Sequence, residues 1–365
     1  MKTSASILII ALLANVSFAQ QSPKKITATD LRDKDAAWYA TDEGQRIVGH
    51  IIAWQMPQGG WHKAYDVGRM PRENEMVEAG WESSTIDNDA TYTEVRSLAR
   101  AQTAKPRAEV LAAFNRGFDY LISMQYPNGG FPQRFPLPKD YGKDITFNDD
   151  AMANVLRLME DIYENHSDFA FVDAARREKA KTAFERGIDC ILKTQLKQDG
   201  KLVGWCQQYD AQTLQPTKAR TYELPSIAGS ESATIAILLM SLDKPSDDAK
   251  RAIHSAVAWF DRSKITGKKV VREPNDKAPK GYDQVVVDDA SAPPIWARFY
   301  EIDTNRPFFC GRDGLKKYSL AEIELERRSG YAWLRPFGEK VLKEYPKWCA
   351  KHGEKSVLVA IDGAK

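Results

Sequence analysis

The sequence predicts a mainly α protein, an α/α toroid of three repeats with a few short β-strands, and three observations carry that prediction. Segments Gln55-Met56-Pro57-Gln58-Gly59-Gly60-Trp61, Gln125-Tyr126-Pro127-Asn128-Gly129-Gly130-Phe131 and Gln195-Leu196-Lys197-Gln198-Asp199-Gly200 share one pattern, with their first glutamines 70 residues apart each time. Each copy ends an apolar run with steps of three and four, such as Phe114, Phe118, Leu121 and Ile122, or Ile188, Ile191 and Leu192, which gives a helix one buried face. Between copies lies a second helical stretch, as from Met152 to Glu164 with Val155, Leu156, Leu158, Met159 and Ile162 inward. Two helices repeated three times, followed by a long non-repeating remainder, favour a ring closed by that remainder over an open solenoid.

Taken in chain order, residues 1–19 come first. Lys2, the apolar run Ile7 to Ala14 and the small-residue site Ser17-Phe18-Ala19 have the layout of a secretory signal peptide. The mature chain is expected to begin at Gln20 or Gln21, to form one toroid domain over 20–365, and to be exported, as a periplasmic or secreted protein. No stretch approaches the roughly 20 apolar residues of a membrane helix. In the repeats, glycines stop a helix and turn the chain. Glutamine and the Gly-Gly-aromatic step therefore read first as loop braces, because glycine serves backbone geometry. Strand signals are sparse, the best being Lys269-Val270-Val271 and Val285-Val286-Val287. Cys190, Cys206, Cys310 and Cys349 fit no zinc spacing, and an exported chain permits either disulfides or buried free thiols. The net charge of +2 demands no nucleic acid, so a polyanion would have to be drawn by a local patch.

The chemistry-bearing residues fall into two carboxylate loops and one arginine-rich block. The loops are Ser84-Thr85-Ile86-Asp87-Asn88-Asp89-Ala90-Thr91 and Thr146-Phe147-Asn148-Asp149-Asp150-Ala151. Each precedes a helical run, so helix capping accounts for one carboxylate per loop and leaves the others in excess. Two such loops on one rim can offer oxygens to Ca²⁺, which accepts six to eight in flexible geometry, more readily than to Mg²⁺. No EF-hand spacing, paired histidine motif, nucleophile elbow or phosphate-binding Gly-Lys loop is present. The second half sets Arg220, Arg298, Arg306 and Arg312 among Tyr, Trp and Phe, where a guanidinium can meet a carboxylate bidentately or stack on a ring. Arg306 and Arg327 read as structural ion pairs. Arg298 and Arg312 flank the turn Thr304-Asn305-Arg306-Pro307-Phe308-Phe309, which can aim both at one cavity.

Through these motifs the chain resembles the family-10 polysaccharide lyases, calcium-dependent pectate lyases with an α/α toroid. The resemblance spans most of the mature chain and is most specific at Ser84-Thr85-Ile86-Asp87-Asn88, Ile145 to Ala151, Arg220-Thr221-Tyr222-Glu223-Leu224-Pro225-Ser226, Pro293 to Glu301 and Thr304 to Gly314. It implies anti-β-elimination in polygalacturonate or oligogalacturonides, with Ca²⁺ as cofactor. On this chain it makes Arg312 the base, has Arg298 and Lys280 hold the sugar carboxylate, and puts Arg220 and Asn88 at the substrate. Asp87 with Asp149 or Asp150 would bind calcium, the choice within that pair staying open. Asp89 stands where the family typically has glycine, and the extra carboxylate is expected to disturb the metal site or repel substrate.

Two other readings compete. The repeated braces also resemble terpenoid-cyclase toroids, although a cation-rich second half suits no carbocation. A non-catalytic pectin-binding protein would keep the cavity without turnover.

Overall fold

The computed structural model describes residues 25–63 and 65–358; the expected signal segment 1–19 and the start at Gln20 or Gln21 lie outside the described residues. Among them the α-helices are α1 (Ala36–Tyr39), α2 (Asp42–Ala53), α3 (Glu75–Glu78), α4 (Tyr92–Ala104), α5 (Ala108–Met124), α6 (Ala151–Tyr163), α7 (Ala174–Thr194), α8 (Gly229–Ser241), α9 (Asp247–Arg262), α10 (Leu325–Gly330) and α11 (Glu339–His352). Helix pairs α4–α5, α6–α7 and α8–α9 are the three units of the predicted toroid. Helices α4, α6 and α8 stand side by side as an inner row, with α2, α5, α7 and α9 as an outer row. Helix α11 returns to pack on α8 and α9. Arg32 from the N-terminal segment and Phe337 and Lys340 at the start of α11 line one cavity with α6 and α8, so the chain ends close the ring.

Of the outer helices, α2, α7 and α9 start on side-chain caps. The Thr41 hydroxyl accepts from the Gly44 N–H at 3.1 Å, the Asp173 carboxylate from Arg176 at 2.8 Å and the Ser246 hydroxyl from Ala249 at 3.2 Å. The repeated glutamines then bind the units together. The Gln55 amide donates to the carbonyls of Gly59 and Ala113, Gln125 to Gly129 and Ala183, and Gln195 to Val203 and Ala252. Each glutamine thus ties the end of one outer helix to its own turn and to the next outer helix. Gly129 has φ 88° and lies so near the Arg186 carbonyl that a Cβ would collide with it. The structural reading of the repeat holds.

Ahead of each inner helix the chain forms a two-residue strand that pairs antiparallel with a later loop. Thr85 faces Arg134, Thr146 faces Gln208 and Ala228 faces Phe299. The third pairing extends into a four-stranded sheet through Pro307–Cys310 and Lys316–Lys317. A separate hairpin, Lys268–Pro274 with Tyr282–Asp288, holds both predicted strand triplets and sets Val270 opposite Val286.

One apolar cluster runs from Leu31 to Cys349, and Trp54, Trp61, Trp205, Trp259, Trp296 and Trp333 are fully buried in it. Indole N–H groups of Trp61 and Trp205 donate to the carbonyls of Ile51 and Ile191, repeating one brace in two units. All four cysteines are buried and free. Among the described residues no helix is long and apolar enough to cross a membrane.

Candidate active site

The loops entering α4 and α6 are built from left-handed residues: Asn88 (φ 49°), Asp89 (67°) and Thr91 (67°) in one, Asp149 (49°) and Asp150 (62°) in the other. Such conformations cost on the order of 1 kcal/mol or more for a non-glycine residue, and Asn and Asp tolerate them best. The N-cap residues are Thr91 and Asp150, and neither side chain caps its helix. The capping account of these carboxylates therefore fails, and the strained loops aim polar groups elsewhere. The Thr91 hydroxyl accepts from the Trp61 N–H at 3.0 Å and donates to the Thr85 carbonyl at 2.7 Å. Ser232 repeats the first contact in the third unit, accepting from Trp205 at 2.8 Å.

Asp87 is buried, pairs with the Lys63 ammonium through Oδ2 and leaves Oδ1 without a hydrogen-bond partner. Asp149 accepts the Asn148 amide at 3.0 Å and stands 3.6 Å from the Arg298 guanidinium. Burial, then the nearby Glu231 and Asp87 carboxylates, push Asp149 up to about 6 against the pull of Arg298. Burial also raises Asp150, opposed by the Thr234 hydroxyl and by Arg157. Glu231, on α8, accepts Arg298 at 2.7 Å and Gln207 at 2.9 Å through Oε1, while its buried Oε2 has no donor. The Gln207 amide also reaches Asn148 Oδ1 at 3.0 Å, linking the second loop to the third.

The three expected metal ligands are not drawn into one cluster. Asp87 is held by Lys63, Asp149 faces Arg298 and Asp150 leans to Thr234, and among the described residues no three His, Cys, Asp or Glu side chains form a group that could hold a metal ion. The donor set still fits a divalent cation. Asp87 Oδ1 and Glu231 Oε2 are buried oxygens lacking a donor, and Asp149 is raised by burial and then by the Glu231 and Asp87 carboxylates, which a cation would offset. Asp89 turns away from this set: its carboxylate takes the Thr29 hydroxyl at 2.8 Å, the Tyr92 hydroxyl and the Arg32 guanidinium. It clasps the N-terminal segment instead of joining Asp87, because a cation and two hydroxyls satisfy it there.

Opposite the carboxylates, guanidiniums gather on two tyrosines. Arg298 is 7% exposed and lies 4.7 Å from the Tyr331 ring centre. Arg220, Arg312 and Arg327 surround the Tyr222 ring at 4.9, 5.2 and 4.5 Å, and Tyr222 meets Tyr331 edge-on at 5.7 Å. Glu223 grips Arg220 through both of its oxygens and accepts the Tyr331 hydroxyl at 2.9 Å. Glu326 is shared by Arg312 and Arg327, at 3.0 and 2.6 Å. Arg312 is the most open of the four, its side chain 58% exposed. Burial opposes charge on Arg298, but Glu231, Tyr331 and Asp149 more than offset it and hold the guanidinium protonated.

The structure thus brings together Asp87, Asn88, Asp149, Arg298, Arg220 and Arg312. It does not join Lys280 to them: that residue is exposed in the hairpin turn 275–281, without a hydrogen bond or ion pair to another described residue. Arg306, expected as a structural ion pair, has none among the described residues and stacks on Tyr318 instead, whereas Arg327 has both its ion pair and a place on the Tyr222 ring. Sequence reasoning missed Glu231, Gln207, Lys63 and the role of Tyr222 and Tyr331 as platforms. Ser226-Ile227 ahead of α8 mirrors Thr85-Ile86 and Thr146-Phe147, and that third copy was the available signal for Glu231.

A toroid rim that opposes oxygen donors to ring-stacked guanidiniums is the layout of a protein that takes an anionic, ring-shaped ligand. The chain belongs to the pectic acid lyase family, whose model matches residues 55–342. Among solved structures it is similar to a family 10 polysaccharide lyase from Cellvibrio cellulosa, with 32% identity, a TM-score of 0.74, and coverage of 86% of this chain and 94% of that one. A mutant of the family 10 lyase from the same organism, in complex with trigalacturonic acid, gives 32% identity and a TM-score of 0.74 over 88% of this chain and 95% of its own. No curated protein sequence matches.

Proposed function

We propose that the chain is a pectate lyase that cleaves polygalacturonate or its oligomers by anti-β-elimination, leaving unsaturated oligogalacturonides. The observation that carries this reading is the cluster of Arg220, Arg312 and Arg327 on one tyrosine, next to Arg298 and facing carboxylates with unpartnered oxygens. Similarity to a lyase solved with trigalacturonic acid supports the substrate class.

In this reading Arg298 holds the C6 carboxylate of the sugar whose C5 proton is removed, Arg220 and Asn88 contact the substrate, and Lys280, exposed in its hairpin turn, is left out of the site. Arg312, the most open guanidinium, takes that proton. The C5–H electron pair forms the C4=C5 double bond as the C4–O4 bond breaks, and the departing oxygen gains a proton. Calcium held by Asp87 with Asp149 or Asp150 would supply the charge that neutralises the C6 carboxylate and steadies enolate-like density. Glu231 and Tyr331 orient Arg298, and Tyr222 with Glu326 orients Arg312. A guanidinium keeps its proton at neutral pH, so the reading requires activity that rises into the alkaline range.

Export to the periplasm or cell exterior belongs to the same proposal, as does a single domain over 20–365, supported by the one apolar cluster. Four guanidiniums at the site oppose the cyclase reading, since they would destabilise a carbocation.

The test is ultraviolet absorbance of unsaturated uronide as the protein acts on polygalacturonate at alkaline pH, with calcium and with chelator. A calcium-dependent rise that drops roughly 10²–10⁴-fold in Arg312→Ala is expected. No rise from folded wild-type protein would overturn the lyase and leave pectin binding as the function.

A further inference from the structure

Two cavities of about 770 and 330 Å³ share Arg32, Asn154 and Arg157 in their linings, and the smaller lies against α4 and α6. The two differ in charge. The larger is bordered by Asp89, Asp149 and Asp150 with Arg32, Arg157 and Lys340, whereas the smaller, between the inner-row helices, has the guanidiniums of Arg32, Arg96, Arg100 and Arg157 against the single carboxylate of Asp33.

Three of these arginines are committed. Arg96 pairs with Asp161, Arg32 with Asp89, and Arg100 with Asp168 at 3.1 Å while also donating to the carbonyls of Arg32 and Lys34. Arg157 has no ion pair among the described residues. Its one hydrogen bond is to Asn154 Oδ1 at 3.3 Å, and Asn154 is itself fixed by donating to the Tyr92 hydroxyl at 2.9 Å. Asp150 and Glu160 act on Arg157 only through space. A half-buried guanidinium that faces a cavity without an ion-pair partner can take an anion, and its planar fork matches a carboxylate. The smaller volume lies at the low end of the range for small-molecule sites, roughly 300–1,000 Å³.

We propose that Arg157, with Arg32 and Asn154, forms a luminal subsite for the carboxylate of a galacturonate unit, separate from the guanidiniums around Tyr222. The proposal rests on the pectate-lyase reading for the identity of the anion. Arg157 supplies the fork, Asn154 keeps a second amide hydrogen for a sugar hydroxyl, and Arg32, already paired with Asp89, borders the subsite.

Digalacturonate titrated calorimetrically into the full chain in chelator tests this apart from catalysis. Wild type is expected to bind it. Arg157→Gln, and Asn154→Asp, which gives the guanidinium an internal carboxylate, should each weaken binding at least tenfold while the melting curve stays cooperative. Two variants guard against a folding defect in one. No binding by wild type, or binding untouched in both variants, would overturn the subsite. Inorganic phosphate binding as tightly as digalacturonate and displacing it would overturn a uronide as the ligand. Failure of the lyase reading shows separately, as absence of unsaturated product with calcium.

Discussion

Replacing Arg298 by alanine removes the positive half of a buried pair, and its cost follows from what Glu231 loses. The two side chains are 8% and 1% exposed and meet at 2.7 Å. Without Arg298, Glu231 retains only the Gln207 amide, and burial already raises its carboxyl above the usual range. Breaking such a pair from one side costs roughly 3–5 kcal/mol, because a buried charge is left uncompensated. Lost stacking on Tyr331 adds to this. Replacing both partners, as in Arg298→Met with Glu231→Leu, removes the orphaned charge and should recover most of the loss. Urea unfolding of wild type, Arg298→Met, Glu231→Leu and the double variant measures the coupling, expected at about 3 kcal/mol or more. Lyase activity should stay low in the double variant, since the substrate carboxylate still lacks its guanidinium. A loss below about 1 kcal/mol in Arg298→Ala, or additive effects in the cycle, would refute the argument that the pair is electrostatically coupled.

Three further predictions follow from other parts of the fold. Asp87→Asn removes one charged oxygen donor and should raise the calcium needed for half-maximal rate about tenfold or more, with rate restored at high calcium; an unchanged calcium titration would exclude Asp87 as a ligand. Glu94 is fully buried, and burial, opposed by a hydrogen bond from Tyr65, pushes it up to about 7 from 4.5. The native state therefore holds a proton that the unfolded chain has released between these values. Stability should fall by about 3 kcal/mol as pH rises from about 4.5 through 7, and Glu94→Gln should flatten that slope in pH-dependent urea melts. Asp89→Asn keeps a residue suited to the left-handed backbone but loses the charge that pairs with Arg32. It should cost about 1 kcal/mol or less and speed proteolysis of the segment from Ile26 to Asp35.

Much of the fold was legible because its signals are local. Helix α6 was visible in the spacing of Val155, Leu156, Met159 and Ile162, which all lie buried on its inward face. The hairpin was visible as two valine runs, and the structure pairs them residue for residue. The repeated glutamines were legible as braces, and they bind backbone carbonyls and not the cavity. The capping account of the acidic loops failed, because Asn88, Asp89, Asp149 and Asp150 adopt left-handed conformations, which Asn and Asp tolerate but which the sequence pattern does not assign to particular positions.

By itself, the sequence determined the period of the toroid, the two acidic loops and the presence of arginines among aromatics, because helix faces, turn residues and repeats are written in neighbouring positions. Only the tertiary structure decided which of those groups meet. Glu231 reaches Arg298 across 67 residues, Tyr331 reaches Glu223 across 108, and Asp89 gives its charge to an N-terminal arm 57 positions away instead of to the site. Those choices depend on which charges are left unpaired once the ring closes. That balance is set by burial and distance in the folded chain, and no local pattern encodes it.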